Sequence, residues 1–164
     1  MPPQDAGRGD RQGLRAESPA ASSGEAVIYL LDTNVLSLLR KGPRCNPSVA
    51  AWFSRVADAD LCLSVLVVGE IRRGIEAVRR RDMAKAAALE QWLARLVRDH
   101  DERILPVDRH VADEWGRLTA VRAASVVDAL LAATARVHSL TLVTKNVRDV
   151  QWTGVSCVNP FTPR

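Results

Sequence analysis

Lysine is nearly missing from this chain: of its 23 basic residues only Lys41, Lys85 and Lys145 are lysines, and the rest are arginine. Cysteine is scarce too. Cys45, Cys62 and Cys157 are odd in number, far apart and free of any C-x-x-C pair, which excludes a disulfide framework and a zinc knuckle. They read as small core residues of a protein kept in a reducing cytoplasm. Aromatics make up only 4% of the sequence, and Trp52, Trp92, Trp115 and Trp152 fall mostly at apolar helix positions, so no base-stacking platform is visible. No long hydrophobic run exists; the longest stretch, around Leu61 to Val68, is interrupted by Ser64. A bilayer-spanning helix needs roughly 20 apolar residues, and the first residues lack the apolar segment of a secretory signal. His100, His110 and His138 are scattered and form no metal-ligand cluster.

What remains is ordinary for a folded domain: 164 residues, 47% hydrophobic and 26% charged, with net charge +4. The charge is unevenly placed. Residues 1–26 hold three arginines and four acids, which leaves +5 on residues 27–164. That leader is built of Pro, Gly, Ala, Ser, Arg and acids, with Met1 and Leu14 as its only large apolar residues, and is expected to be disordered. Order is expected to begin at Val27, which reads as the true translational start. Residues 27–164 then form one domain. Arginine's planar donor fork suits phosphate, so the basic balance is compatible with a nucleic-acid partner.

From Val27 onward short apolar runs alternate with helical patterns. Val27 to Leu31 is a continuous apolar run ending at Asp32, as in a buried parallel strand. Thr33 to Arg40 reads as a short helix, and Asn46-Pro47 opens another that runs to about Val56. Leu61 to Ser64 is a second strand, followed by a helix from Val65 to about Arg80. Asp82 opens a long helix to about Arg98. Arg103 to Pro106 is a short strand, Asp108 caps a helix carrying Val111, Trp115 and Leu118, and Ser125 caps one reaching about His138. Leu140 to Thr144 is a core strand, and Val155 to Val158 a weak edge strand. Strands joined by helices of this length imply right-handed crossovers: an α/β, three-layer sandwich with a mostly parallel central sheet flanked by helices.

The acids fall at informative places. Asp32 ends the first strand, Glu70 lies early in the helix after the second, Asp128 in the first turn of the helix opened by Ser125, and Asp149 soon after the Leu140–Thr144 strand. In parallel sheets the functional crevice lies beyond the carboxyl ends of the strands. Each acid also has a local explanation. Asp32 can cap a helix, Glu70 can face a helix dipole, Asp128 can complete a capping box with Ser125, and Asp149 can be a turn residue. Asp128 sits in Val126 to Ala133, apolar on nearly every face, and is therefore expected to be buried. Gly74, one turn beyond Glu70, implies either tight helix packing or access to a site. Carboxylates converging on one crevice repel unless a hard cation joins them, and oxygen-only ligands select Mg²⁺ or Mn²⁺. With a basic exterior, that set points to phosphodiester hydrolysis.

At these residues the chain resembles the PIN-domain nucleases. The resemblance is carried by Ile28-Tyr29-Leu30-Leu31-Asp32-Thr33-Asn34, by Ser64 to Gly74, by Val127 to Ala135, by Leu142 to Asp149 and by Asn159-Pro160-Phe161. It is most similar to the VapC toxins of type II toxin–antitoxin modules, in the FitB-like branch. The resemblance implies a homodimer that cuts RNA with Mg²⁺ or Mn²⁺, a metal-activated water attacking the phosphodiester. It implies Asp32 and Asp128 as direct metal ligands, Glu70 as the third carboxylate and Asp149 as the fourth. Thr33 and Thr144 would orient these groups. Asn146 stands where some relatives carry an acid, and Ala124-Ser125 where relatives often carry Leu-Pro. The partner it implies is a small VapB-like antitoxin whose C-terminal segment wraps the toxin and lays a basic residue in the acidic site.

Arg72, Arg73 and Lys145 are candidate RNA-phosphate contacts, although Arg72 and Arg73, like Arg79, Arg80 and Arg81, read equally as a solvated helix face. The alternative to a cytoplasmic ribonuclease is a catalytically weak antitoxin-binding module acting in a DNA-binding autorepressor complex.

Overall fold

A computed structural model describes residues 27–162, so the expected disordered leader lies outside the described residues. The first apolar run forms β1 (Tyr29–Leu31), shorter than its composition suggests because Val27 and Ile28 are exposed and the ladder starts at Tyr29. Then follow α1 (Thr33–Leu39), α2 (Pro47–Phe53), β2 (Leu61–Ser64), α3 (Val65–Arg79), α4 (Met83–His100), β3 (Ile104–Leu105), α5 (Arg109–Val121), α6 (Val126–Val137), β4 (Thr141–Val143), α7 (Val147–Val150) and β5 (Cys157–Val158).

Local chemistry explains most boundaries. The Asn46 side chain accepts hydrogen bonds from the Ser48 and Val49 amides, and Pro47 takes the first helical position. Asp82 accepts from the Lys85 amide and Asp108 from those of His110 and Val111. The α2 helix stops at Phe53, three residues before the expected end, where Trp52, Phe53 and Tyr29 pack edge to face.

The five strands are parallel in the order β3-β2-β1-β4-β5. Leu30, Leu63, Leu142 and Val143 are fully or almost fully buried at its centre. Helices α3 and α4 pack as an antiparallel pair, with Val67, Ile71 and Ile75 of one and Ala86 and Leu93 of the other inward. Their outer faces are pinned by charge. Arg72 Nη1 donates to Glu90 at 2.7 Å, and Arg79 Nη2 donates to the other Glu90 oxygen at 2.8 Å. Hydrogen bonds from Arg79, then Arg72, hold the Glu90 carboxyl below the usual range.

Gly74 is not required by tight helix packing. It is exposed, and a Cβ built on it would meet nothing within 4 Å. Gly74→Ala should therefore stabilise the fold by about 0.5–1 kcal/mol through the ordinary helix preference for alanine, seen as a raised urea midpoint at unchanged m-value. An unchanged or lowered midpoint would show that the glycine is needed by the fold itself.

Candidate active site

The order of the sheet locates the crevice. Strands β2 and β3 lie to one side of β1 and β4 and β5 to the other, so the switch point is between β1 and β4 at their carboxyl ends. Asp32 follows β1 there, and its amide donates to the Val143 carbonyl at 3.1 Å, extending the ladder by one step. Its side chain is only 5% exposed. A role in capping alone is excluded: Asp32 makes no side-chain cap bond to α1. Its Oδ2 instead accepts a hydrogen bond from Thr144 Oγ1 at 2.8 Å, across the switch point. The Thr144 hydroxyl accepts in turn from the Asn146 amide at 3.0 Å.

Glu70 enters from the second turn of α3, too far along to answer the helix dipole. Thr33 Oγ1 donates to its Oε2 at 2.6 Å, tying α1 to α3. Among the described residues its one ion pair is with Arg73, 81% exposed and 3.7 Å from Oε1. Asp128 lies in the first turn of α6, but Ser125 gives that helix no side-chain cap bond, so no capping box forms. The expectation that Asp128 is buried is corrected: it is half-exposed, because α6 begins at the crevice rim and Val126 beside it is 58% exposed. The buried carboxylate is Asp32. Asp149 sits in α7, exposed, where Trp152 Nε1 donates to its carbonyl at 2.7 Å.

The charge on Asp128 feels the other three acids. Partial burial pushes the Asp128 carboxyl up, and the charges of Asp32, Asp149 and Glu70 push it further, while Ser125 offsets part of the rise. Among the described residues neither Asp32 nor Asp128 pairs with a cation. No three His, Cys, Asp or Glu side chains among them stand at metal-holding spacing. Among the described residues the donor set is oxygen only, with Arg73 beside Glu70 as its one ion pair, which fits a hard divalent cation.

The basic candidates divide. Arg72 faces α4 and is occupied by Glu90 and Glu76, at 2.7 and 3.5 Å. Arg73 reaches the crevice edge. Lys145 stands at the end of β4 with its ammonium 5.6 Å from the Phe161 ring centre. Sequence reasoning passed over two neighbours of Lys145, Arg148 and Asn159, which share a cavity with Asn146 and Asp149. Their signal was available in the strand ends: both closely follow β4 or β5 in the chain.

Comparison with known proteins agrees with this geometry. The PIN domain family model matches residues 29–149. Toxin FitB of Neisseria gonorrhoeae is 32% identical over 141 residues, covering 82% of this chain and 99% of that one. VapC ribonuclease Y4jK of Sinorhizobium fredii is 28% identical over 144 residues, covering 83% and 99%. Among solved structures, FitAB bound to an IR36 DNA fragment superposes with a TM-score of 0.75 at 29% identity, covering 84% of this chain and 98% of that one. With its acids gathered at the switch point of a parallel five-stranded sheet, the chain belongs to the PIN-domain family, in the branch of the FitB toxin and the VapC ribonucleases.

Proposed function

We propose that the protein is the toxin of a type II toxin–antitoxin module, an endoribonuclease that works with Mg²⁺ or Mn²⁺ as cofactor. The observation that carries this reading is the placement of Asp32, buried and held by Thr144 at the switch point, with Asp128 half-exposed at the crevice rim, neither of them paired with a cation among the described residues. Asp32 and Asp128 would hold the metal directly, with Glu70 and Asp149 completing the acidic set. When bound there, the ion supplies charge neutralisation at the phosphate and a more acidic water.

The chain's own residues do the rest. Thr144 fixes the rotamer of Asp32 and Thr33 that of Glu70, so the two carboxylates nearest the sheet are oriented before substrate arrives. Arg73 and Lys145 flank the crevice as donors to phosphate oxygens.

The partners in this reading are RNA, a small VapB-like antitoxin and a second copy of the chain. No described helix is long and apolar enough to cross a membrane. Antitoxin-free protein should cleave RNA in Mg²⁺ or Mn²⁺ and lose at least about a hundredfold in rate with EDTA. Cleavage that persists unchanged in EDTA would overturn the metal assignment. The second reading, a catalytically weak member of a DNA-binding complex, draws on Asn146 at a position acidic in some relatives and on the DNA in the FitAB structure. It requires that no metal condition gives cleavage above background.

A further inference from the structure

A second concavity adjoins the acidic crevice on its β4–β5 side. Lys145, Asn146, Val147, Arg148, Asp149 and Asn159 line a cavity of about 500 Å³, the size of a small-ligand site. Asn146 belongs to its wall, and its backbone amide donates to the Thr144 hydroxyl that holds Asp32, so the two spaces are neighbours. The chemistry inverts between them, from four acids to two cations and two carboxamides around a single acid.

These groups are not committed to the fold. Among the described residues neither Lys145 nor Arg148 joins an ion pair. The Phe161 ring restrains the Lys145 ammonium without neutralising it. Asn146 precedes α7 yet gives it no side-chain cap bond. Asn159 uses Oδ1 to accept from the Phe161 amide at 3.0 Å, which leaves its amide protons available. An acidic crevice repels a polyanion on both sides of the bond to be cut, so a nucleic acid lying in it needs cations immediately beyond.

We propose that this cavity is a phosphate-binding subsite for RNA. Lys145 and Arg148 take the phosphate next to the scissile one, and Asn146 and Asn159 offer amide groups to that nucleotide's sugar or base edge. The inference rests on the ribonuclease reading and adds to it the side of the crevice on which the neighbouring nucleotide lies. Another cationic surface, Arg80, Arg81 and Lys85 at the turn between α3 and α4, lies about 15 Å further along α3 from Glu70 and includes Asp82. It serves as the control.

The test is binding of a short fluorescent single-stranded oligoribonucleotide to Asp128→Asn protein in Mg²⁺, alongside steady-state cleavage by the active parent. Lys145→Ala with Arg148→Ala should weaken binding about tenfold at low salt and flatten the log–log salt dependence by about 0.7, the value for one phosphate contact on a single strand. In the active protein KM should rise with kcat nearly unchanged. Arg80→Ala with Arg81→Ala should stay within about twofold in both assays. Thermal melting checks that the exposed substitutions leave the fold intact. If the parent binds RNA and the two pairs weaken it equally, or the Lys145/Arg148 pair has no effect, the subsite is wrong while the ribonuclease reading stands. If the parent neither binds nor cuts RNA, that reading falls and the subsite falls with it.

Discussion

Asp128→Asn should reduce RNA cleavage by about a thousandfold and at the same time make the metal-free protein more stable at neutral pH. Both effects come from the same environment. The Asp128 carboxyl is lifted by partial burial and by the charges of Asp32, Asp149 and Glu70. Its folded proton affinity therefore exceeds its unfolded one. The strain is absent at pH below the ordinary aspartate range, develops as pH rises through it, and is fully present once the folded group has also ionised. Asparagine carries no charge and escapes it. In EDTA, urea midpoints of parent and variant should coincide near the acid end and separate, in favour of the variant, towards neutrality. Asp32→Asn should lose activity to the same degree. Full cleavage by Asp128→Asn would remove Asp128 from the site. A midpoint difference independent of pH would show that its neighbours are not the cause.

The sheet was legible in the sequence because buried parallel strands are apolar throughout and their crossover helices carry polar caps. Leu61 to Ser64 has the first signal and the starts at Asn46, Asp82 and Asp108 have the second, and that strand and those starts agree to the residue. Less was legible where pairing, rather than composition, sets the boundary. Val27 and Ile28 are as apolar as Leu30, but no neighbouring strand extends far enough to cover them. The four acids were recognisable from their places after the strands, whereas their individual environments were not. Asp128 looked buried because its helical neighbours are apolar. Burial at a helix's first turn depends on what stands in front of the helix, and here that is the open crevice. Arg72 and Arg73 are adjacent in the chain and similar on paper. A rotation of 100° around α3 sends one to Glu90 and leaves the other beside Glu70.

Thr144→Val should be the most damaging substitution outside the carboxylates, although it changes neither volume nor charge. Thr144 is 3% exposed, and its hydroxyl is the one side-chain donor recorded on Asp32, at 2.8 Å, while accepting from the Asn146 amide at 3.0 Å. Valine fits the space but leaves a nearly buried carboxylate oxygen and a backbone amide without that partner. A hydrogen bond to a charged group contributes about 1.5–3 kcal/mol, so a loss of about 2–3 kcal/mol in unfolding free energy is expected. The freed Asp32 side chain should also raise the Mg²⁺ or Mn²⁺ concentration needed for half-maximal cleavage, by about 10–100-fold. Thr144→Ser keeps the hydroxyl and loses one methyl group, about 0.8 kcal/mol of burial, and should restore most of the metal response. Thr33→Val is the matched comparison. It removes the donor to Glu70 at a half-buried position, so stability should fall less than with Thr144→Val, while the metal requirement moves in the same direction. If Thr144→Ser failed to recover the metal response while restoring stability, the hydroxyl would be acting on the fold alone. If valine and serine behaved alike in both measurements, the bond between Thr144 and Asp32 would have no part in setting the site.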